Sequence, residues 1–327
     1  MKTTRRTVLA GLGMTGAALA LPGRARAQTP WSPTKPIKLV VAYPAGGPTD
    51  VIARILADKL GVRSKQSIVI ETRPGAGSNI GTAAVARAAP DGAMLLVNTS
   101  AVAVNQTLFK SPGYDAVKEL TAVINVGQSP NVIIASKSLK AMTLKEAIDE
   151  ARTGKLNYGS PGAGTTPNLT MEYLFKVLAK VDVRHVAFKG GNEMITAALS
   201  GAIELGCGAV PTVLAQVVAG EVRPLGVTSN KRIASLPNVP TVAESGFPGF
   251  EDYTWMGVFA PGGVAPALAA RMNEEMAAVL TIPDVRERLS KMGFEIVGGS
   301  QQSFAGYVAR EVEKWAKVVK AIGATPL

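Results

Sequence analysis

Four glycine-rich loops are the part of this sequence whose residue types could bind a ligand. They are Pro44–Thr49, Pro74–Asn79, Ser160–Thr166 and Lys189–Asn192, and each precedes a segment with helical character. Such loops place unpaired backbone N–H groups, small hydroxyls and amides at a helix N-terminus, where the helix dipole favours negative charge. The repeated pattern predicts a protein that holds an anion mainly through its backbone.

Side chains that could carry out chemistry on that anion are scarce. The chain has one histidine, His185, and one cysteine, Cys207, which excludes the usual Cys/His zinc sites and intramolecular disulfides. A serine hydrolase would need His185 as its base, but this residue lies in a predicted strand and no Gly-x-Ser-x-Gly elbow is present. We therefore expect no catalytic residue, no metal and no cofactor.

One motif leaves an alternative open. Gly75-x-Gly77-x-x-x-Gly81 is similar to a nucleotide-binding fingerprint. It follows the second predicted strand rather than the first, and Asn98 stands where an acidic residue would be expected at the end of the next strand. An exported nucleotide-dependent oxidoreductase is the alternative to an anion-binding protein.

The N-terminus has the three-part layout of an export signal. Basic residues begin it, an apolar stretch runs from Val8 to Leu21, and Ala25-Arg26-Ala27 forms a small-residue cleavage site. The Arg5-Arg6 pair and the weakly hydrophobic core favour the twin-arginine route, with an ordinary Sec signal as the alternative. The sequence predicts export to the periplasm and cleavage near Ala27.

Cleavage there would leave a mildly basic chain of 300 residues. The formal charge would fall from +11 to +6, because five basic residues are removed. This balance favours acidic ligands, and the lack of Lys/Arg runs argues against a nucleic-acid partner. No later apolar stretch reaches the length of a membrane span, and a chain of this size normally forms two domains.

Predicted strands and helices alternate through the rest of the chain. The predicted strands are Ile37–Ala42, Ser67–Glu71, Met94–Asn98, Thr121–Val126, Asn131–Ala135, Leu156–Gly159, Arg184–Phe188, Ile203–Gly206, Leu225–Thr228 and Trp255–Ala260. Helices are predicted to begin at Pro48, Pro167 and Pro211 and to span Pro266–Leu280, Asp284–Met292 and Ser303–Ile322. This alternation predicts doubly wound α/β domains whose ligands lie at the carboxyl ends of the strands.

Two helices have apolar faces that can be assigned residue by residue. In the first helix the apolar face comprises Val51, Ile52, Ile55, Leu56 and Leu60, and Gly61 is predicted to end the helix. In the helix that begins at Pro167 the residues predicted to face inward are Leu169, Tyr173, Leu174, Val177 and Leu178.

A series of longer motifs runs along the chain in a fixed order. The first is Tyr43-Pro44-Ala45-Gly46-Gly47-Pro48-Thr49-Asp50 with Ala53-Arg54. The others are Glu71–Gly81, Pro90–Gly92, Gly159–Gly162, His185–Gly191, Leu236–Glu244 and Trp255–Pro261. In sequence and order they resemble the Bug receptors, the extracytoplasmic solute-binding proteins (TctC family) of tripartite tricarboxylate transporters. The resemblance covers nearly all of the predicted mature chain.

The resemblance implies a type II periplasmic-binding-protein fold, in which two α/β lobes enclose a carboxylate in the cleft between them. It places lobe 1 at residues 36–126 and 253–327 and lobe 2 at 127–252, after a signal at 1–27 and an extension at 28–35. It implies a monomer that delivers a small organic acid to the large and small permease subunits of a transporter, or to a sensor kinase. The acid would be a di- or tricarboxylate, an aromatic acid or an acidic amino acid.

The resemblance also implies where the ligand binds. Its carboxylate would meet main-chain N–H groups of the first glycine loop, partly through water. The predicted ligand-binding residues are Tyr43, Ala45, Gly46, Gly47, Thr49, Asp50, Gly77, Ser78, Asn79, Ser100, Gly162, Gly164, Thr165, Thr166, Lys189, Gly190, Gly191 and Ala209. Asp50 would either contact the ligand or stabilise the helix N-terminus, and Lys189 would either pair with a ligand carboxylate or be a surface lysine.

Three positions depart from the family pattern, all in the predicted lobe 2. Asn168-Leu169 replaces a histidine-leucine pair, Ala187-Phe188 replaces Pro-Tyr, and Gly206–Ala209 replaces an Asp or Asn. These differences make lobe 2 smaller and less polar. We therefore expect a ligand with an apolar portion, such as an aromatic ring or an aliphatic chain, rather than a compact tricarboxylate.

Overall fold

The computed structural model describes residues 31, 35–324 and 326–327. The predicted signal at 1–27 and most of the predicted extension at 28–35 lie outside the described residues. Within the described ranges, no helix combines the length and the apolar character that a membrane crossing requires.

The described residues form a mixed sheet of ten strands. These are β1 (Ile37–Val41), β2 (Ile68–Thr72), β3 (Met94–Thr99), β4 (Leu120–Ala135), β5 (Asn157–Ser160), β6 (Arg184–Ala187), β7 (Leu205–Ala209), β8 (Arg223–Val227), β9 (Tyr253–Pro261) and β10 (Glu295–Gly298). Their order is β2-β1-β3-β9-β4-β7-β5-β6, and β8 and β10 also pair with β4. The neighbours β2, β1 and β3 are parallel to one another, as are β7, β5 and β6, whereas β4 and β9 are antiparallel to every strand they pair with.

Helices cover both faces of this sheet. In the described part of the chain they are α1 (Pro48–Ser64), α2 (Asn79–Ala86), α3 (Ala101–Leu108), α4 (Leu144–Ala151), α5 (Thr166–Glu172), α6 (Gly191–Ser200), α7 (Val210–Val218), α8 (Pro266–Leu280), α9 (Pro283–Lys291) and α10 (Gln301–Ala321). A 3₁₀ turn at Ala76–Ser78 precedes α2, and α5 continues directly into a π-helical segment at Tyr173–Ala179.

The predicted strands are confirmed to within three residues, with two exceptions. Thr121–Val126 and Asn131–Ala135 are not separate strands but parts of β4. The strand stays continuous because β9 pairs with it up to Pro130 and β7 pairs with it from Asn131 onward. The second exception is β10, which was not predicted because it is short and half exposed, without an apolar run.

Two helix predictions are wrong in detail. Gly61 does not end α1, which continues to Ser64 and ends where Lys65 adopts a left-handed conformation (φ 53°). Leu178 does not face inward: it is 37% exposed, and Phe175 is buried instead. The π-helical segment explains this shift, because its wider turn rotates the following side chains relative to an α-helix.

The core lies on both faces of each part of the sheet, as doubly wound packing requires. On β1, Leu39 and Val41 belong to a hydrophobic cluster with α1 and α8, whereas Val40 packs on the opposite face with α3 and α10. On β4, Ile133 packs with α4, and Ile134 packs on the other face with α6 and α7. Alternate side chains of a strand point to opposite faces, so both faces need covering helices.

A buried carboxylate fixes α10 against the sheet. Glu311 Oε2 accepts hydrogen bonds from the indole N–H groups of Trp255 on β9 and Trp315 on α10, both at 3.0 Å. Lys314 Nζ lies 3.3 Å from the other oxygen of the same carboxylate. Both tryptophans are buried, so this carboxylate satisfies two donors that water cannot reach.

We expect Glu311→Ala to lower the free energy of unfolding by about 2–4 kcal/mol, because it leaves two buried indole N–H groups without an acceptor. Urea unfolding followed by tryptophan fluorescence measures this difference. Glu313→Ala, at an exposed position on the same helix, is the matched control and should change stability by less than about 0.5 kcal/mol. Equal stabilities of the two variants would contradict the assigned role of Glu311.

Candidate functional site

The N-termini of α1, α5, α6 and α7 meet at one cavity of about 110 Å³, which we call the first cavity. Each helix follows the carboxyl end of a parallel strand, namely β1, β5, β6 and β7. The lining residues are Tyr43, Pro44, Ala45, Gly47, Pro48, Thr49, Thr99, Pro161, Thr165, Thr166, Pro167, Gly190, Asn192, Glu193, Ala209, Thr212, Thr254 and Met256. The cavity therefore lies between the β1–β3 and the β5–β7 parts of the sheet.

The electrostatics of this cavity favour a bound anion. In α1 the first helical hydrogen bond runs from Val51 N–H to Gly47 O, so the N–H groups of Thr49 and Asp50 have no partner within the helix. In α6 the first such bond runs from Met194 N–H to Gly190 O. The N–H groups that precede Met194 in this helix therefore also have no partner within the helix. No basic side chain lines this cavity. Besides the backbone N–H groups, the lining offers hydroxyl groups, the Asn192 amide and the Glu193 carboxylate, which accepts a hydrogen bond from Lys189 N–H (3.2 Å).

Asp50 fixes the conformation of the first glycine loop, Pro44–Thr49, through a hydrogen bond. Its Oδ2 accepts hydrogen bonds from Gly46 N–H and from Arg54 Nε, each at 2.9 Å. Burial alone would raise the pKa of this carboxyl, but the hydrogen bonds from Arg54 and Gly46 and the charge of Arg54 lower the pKa overall. The ionised Asp50 therefore holds the loop in the conformation that Gly46 adopts at φ +81°.

A second cavity, of about 550 Å³, adjoins the first. It is lined by Ala42, Tyr43, Pro44, Pro74, Gly75, Ala76, Gly77, Ser78, Phe109, Pro161, Gly162, Ala163, Thr165, Phe188, Lys189 and Leu327. Four of these residues also line the first cavity: Tyr43, Pro44, Pro161 and Thr165. The two cavities are consecutive parts of one cleft.

The two walls of the cleft touch each other. Ser100 Oγ at the start of α3 and Thr166 Oγ1 at the start of α5 share a hydrogen bond. Gly77 lies so close to the opposite wall that a Cβ atom there would be 2.7 Å from Ala163 O. Leu169 of α5 is buried in the hydrophobic cluster that includes residues of α3 and α10. These contacts hold the two walls of the cleft against each other.

The structure brings twelve of the eighteen predicted ligand-binding residues to the two cavities. The first cavity is lined by Tyr43, Ala45, Gly47, Thr49, Thr165, Thr166, Gly190 and Ala209, and the second also by Gly77, Ser78, Gly162 and Lys189. Six predicted residues lie outside both linings: Gly46, Asp50, Asn79, Ser100, Gly164 and Gly191. Asn79, for example, turns inward, where its Oδ1 accepts from Asn105 Nδ2 (2.7 Å) and Tyr114 OH (3.2 Å).

Sequence reasoning missed several polar residues of the first cavity. They are Thr99, Glu193, Thr212 and Thr254, to which the apolar Met256 is added. Asn192 also lines this cavity and lies in the predicted Lys189–Asn192 loop. Thr99 follows a predicted strand, so its position in the sequence could have identified it as a candidate site residue. Thr254 and Met256 lie on β9, far from any glycine loop in sequence. Met256 belongs to the Trp255–Pro261 motif, but nothing in that motif assigned it to the ligand site.

Ser160 and His185 form a Ser–His pair that does not reach the cleft. Ser160 Oγ lies 2.8 Å from His185 Nε2, and the imidazole stacks on the Tyr158 ring with centroids 4.8 Å apart. Ser160 is fully buried, and neither residue lines a cavity of the cleft. Burial lowers the pKa of His185 to about 4. The pair ties β5 to β6, in keeping with a structural histidine.

We expect the imidazole of His185 to titrate with a pKa of about 4, far below the ordinary 6.5, because burial opposes its charged form. Since the unfolded chain binds the proton first, the stability due to neutral His185 is complete above pH 6.5 and is lost as the pH falls toward 4. His185 is the only histidine of the chain, so NMR of the untagged protein reports its pKa directly.

The matched variant is His185→Gln, which keeps a hydrogen-bonding group but cannot titrate. The stability advantage of the wild type over this variant should shrink by about 2 kcal/mol between pH 7.5 and pH 4.5. An imidazole resonance that titrates near pH 6.5, together with a constant stability difference, would show that His185 is accessible to solvent.

Comparison with known proteins gives a consistent result. A family model described as "Tripartite tricarboxylate transporter family receptor" matches residues 52–324. The protein BugT of Bordetella pertussis is 32% identical over 328 residues, which cover 99% of each chain.

Solved structures show the same similarity in three dimensions. An R. palustris protein solved with adipate has a TM-score of 0.85 and 34% identity, over 90% of this chain and 99% of that one. The periplasmic binding protein BugD has a TM-score of 0.83 and 30% identity, over 89% of this chain and 99% of that one. The predicted fold class is confirmed: two doubly wound α/β lobes enclose a cleft, as in the type II periplasmic binding proteins.

Proposed function

Because the chain belongs to the receptor family of the tripartite tricarboxylate transporters, we propose that it captures a small organic carboxylate in the cleft described above. The observation that carries this proposal is the convergence of four helix N-termini on a cavity with no basic side chain. Such a cavity suits a carboxylate, which accepts several hydrogen bonds from N–H groups and gains from the helix dipoles. The adipate bound in the similar R. palustris structure supports this ligand class.

We infer that the lobes divide where the strand pairing changes. Lobe 1 would comprise residues 36–126 and 253–327, and lobe 2 residues 127–252. Partner exchange on β4 supports this division, since β9 pairs with the strand up to Pro130 and β7 and β8 pair with the part that follows. The cavity then lies between the lobes, with α1 from lobe 1 and α5, α6 and α7 from lobe 2.

Capture would be coupled to closure of the lobes. A ligand shifts the equilibrium toward the closed form only if it contacts both lobes. The first cavity meets this requirement, because Thr49 belongs to lobe 1 whereas Thr166 and Gly190 belong to lobe 2. The hydrogen bond between Ser100 and Thr166 would add an attraction that exists only in the closed form.

The receptor would act in the periplasm, after export and cleavage near Ala27. Similarity to the periplasmic protein BugD and the family assignment support this location. As a monomer it would present its ligand to the membrane subunits of a transporter or to a sensor kinase. It would leave the ligand chemically unchanged, since the one Ser–His pair lies buried away from the cleft.

We expect purified protein to be stabilised against heat by one or a few mono- or dicarboxylates. A ligand at a hundredfold excess over its dissociation constant should add about 2.7 kcal/mol to the free energy of unfolding. Thermal unfolding with a panel of organic acids measures this effect, and chromatography of the recovered ligand tests whether it is unchanged. Stabilisation by NAD or NADP and by no organic acid would favour the oxidoreductase alternative instead.

We expect Gly46→Ala to weaken carboxylate binding at least tenfold in calorimetry. A Cβ atom at Gly46 would meet nothing closer than 3.9 Å, so the effect would come from the backbone, which an L-residue holds at φ +81° only with strain. Relaxation of the loop would move the N–H groups that face the cavity. Gly154→Ala is the matched control, with φ +70°, no atom within 4 Å of the added Cβ, and a position outside the cleft. Equal affinities of the two variants would contradict the role of the loop.

A further inference from the structure

Behind the cleft, a buried carboxylate occupies the place where the two parts of the sheet join. Asp252 directly precedes β9, is 5% exposed, and lines neither cavity. Its Oδ2 accepts hydrogen bonds from Thr170 Oγ1 on α5 (2.5 Å) and from Asn131 Nδ2 on β4 (3.0 Å). Its main-chain oxygen accepts a third, from Thr228 Oγ1 just after β8 (2.6 Å). Asp252 is therefore fixed to α5 and to the β7 and β8 side of the junction.

The second oxygen of this carboxylate faces α10, on the other side of the junction. Among the described residues, Asp252 Oδ1 has no hydrogen-bond partner, and Lys314 Nζ lies 3.6 Å from it. Lys314 Nζ also lies 3.3 Å from Glu311 Oε1, so it stands between two carboxylates. The lysine side chain is 43% exposed, whereas Asp252 is buried. Lys314 is thus the counterion of a charge that water does not reach.

Burial makes the ionised form of Asp252 costly. It raises the pKa of this carboxyl to about 6; the charge of Lys314 lowers the pKa and that of Glu311 raises it. Tyr307 on α10 and Cys207 on β7 also interact with Asp252, and since the pKa of each is raised, both are neutral at pH 7. Asp252 is then mainly anionic. A buried charge that loses its partner destabilises the arrangement that buries it.

The contact between Asp252 and Lys314 crosses from one side of the cleft to the other. α10 packs with α3 and β9, and Leu169 of α5 is buried in the same hydrophobic cluster. Thr166, at the start of α5, lines the first cavity, and Thr170, one turn later, binds Asp252. A displacement of α5 from α10 would therefore move the wall of the cavity and separate Lys314 from Asp252 together.

We propose that Lys314 is a positioning residue for ligand binding: it neutralises Asp252 across the junction and so allows α5 to rest against α10. Neither residue lines the cleft, and the pair acts on affinity through the position of the α5 wall. In the lobe division proposed above, Asp252 ends lobe 2 and Lys314 belongs to lobe 1. This inference rests on the proposed function and adds to it two residues outside the cleft on which affinity depends.

Isothermal titration calorimetry tests the proposal with the acids of the thermal panel, among them adipate, succinate and benzoate. The acid that wild-type protein binds most tightly is used for every variant. Lys314→Met should weaken its binding about tenfold at pH 7.5, because ionised Asp252 is left buried without its cation. Asp252→Asn should change the affinity by less than about twofold, since Lys314 keeps Glu311 as a partner. Lys314→Arg retains the cation and should retain most of the affinity.

The double variant Asp252→Asn/Lys314→Met separates this role from a general loss of stability. It removes both charges, so its affinity should return to within about twofold of the wild type, although the contact of Lys314 with Glu311 is still missing. Acid should act in the same direction, because the neutral form of Asp252 predominates below its raised pKa. The difference between Lys314→Met and wild type should therefore fall below about threefold at pH 5.5. Measuring both proteins at each pH cancels the titration of the acid itself.

The matched control is Lys317→Met, which removes an exposed lysine from the same helix and should leave the affinity unchanged. Thermal melting shows whether each variant is folded at the temperature of the titration; Lys314 is half-exposed, so Lys314→Met should be. An unchanged affinity of Lys314→Met, a loss that the double variant retains, or an equal loss in Lys317→Met would overturn the inference while leaving the proposed function in place. A wild-type protein that binds none of the acids would overturn both.

Discussion

A binding site made of backbone N–H groups works only when the loops that carry them are held still before the ligand arrives. In this protein the polar side chains of the glycine-rich motifs supply that restraint. Asp50 holds Gly46 N–H, Thr165 Oγ1 donates to Gly162 O (2.7 Å), and Asn98 Nδ2 donates to Ser78 Oγ (3.2 Å). Each loop is fixed by a side chain that belongs to it or lies directly beneath it. Pre-organisation of this kind lowers the conformational entropy lost on binding.

Side-chain hydrogen bonds also fix the strands at the place where the two parts of the sheet join. Asn131 lies where β4 changes partners, and its Nδ2 donates to Asp252 Oδ2 (3.0 Å) just before β9 begins. Thr254 Oγ1 donates to Asn131 Oδ1 (2.7 Å), and Thr254 also lines the first cavity. One hydrogen-bonded group therefore joins both crossing strands to the wall of the cavity. This group lies where the two parts of the sheet join, since β4 pairs with β9 up to Pro130 and with β7 and β8 beyond it.

The sequence was most informative where structure is determined locally. Glycine, proline and a following helix identify the loop around Gly46 without knowledge of the rest of the fold, and the positions of most strands along the chain follow from apolar runs. Contacts between distant segments were beyond such reasoning. Thr254 reaches the cavity because β9 pairs with β3 and β4, and Asn79 turns inward because Asn105 and Tyr114 offer partners there. Leu178 faces outward because it lies in a π-helical segment, which no local sequence pattern predicts.

Recognition through the backbone has a consequence for selectivity. If a carboxylate binds to the N–H groups of α1 and α6, as proposed, these contacts would be the same for every acid and would not by themselves distinguish one acid from another. Selectivity requires groups that the wrong solute leaves unpaired or forces out of water. Under the proposed function the second cavity would supply such groups, since it is lined by side chains that the first cavity lacks, Lys189 among them. On this proposal, substitutions in the second cavity would change the ligand while the helix N-termini of the first cavity stay in place.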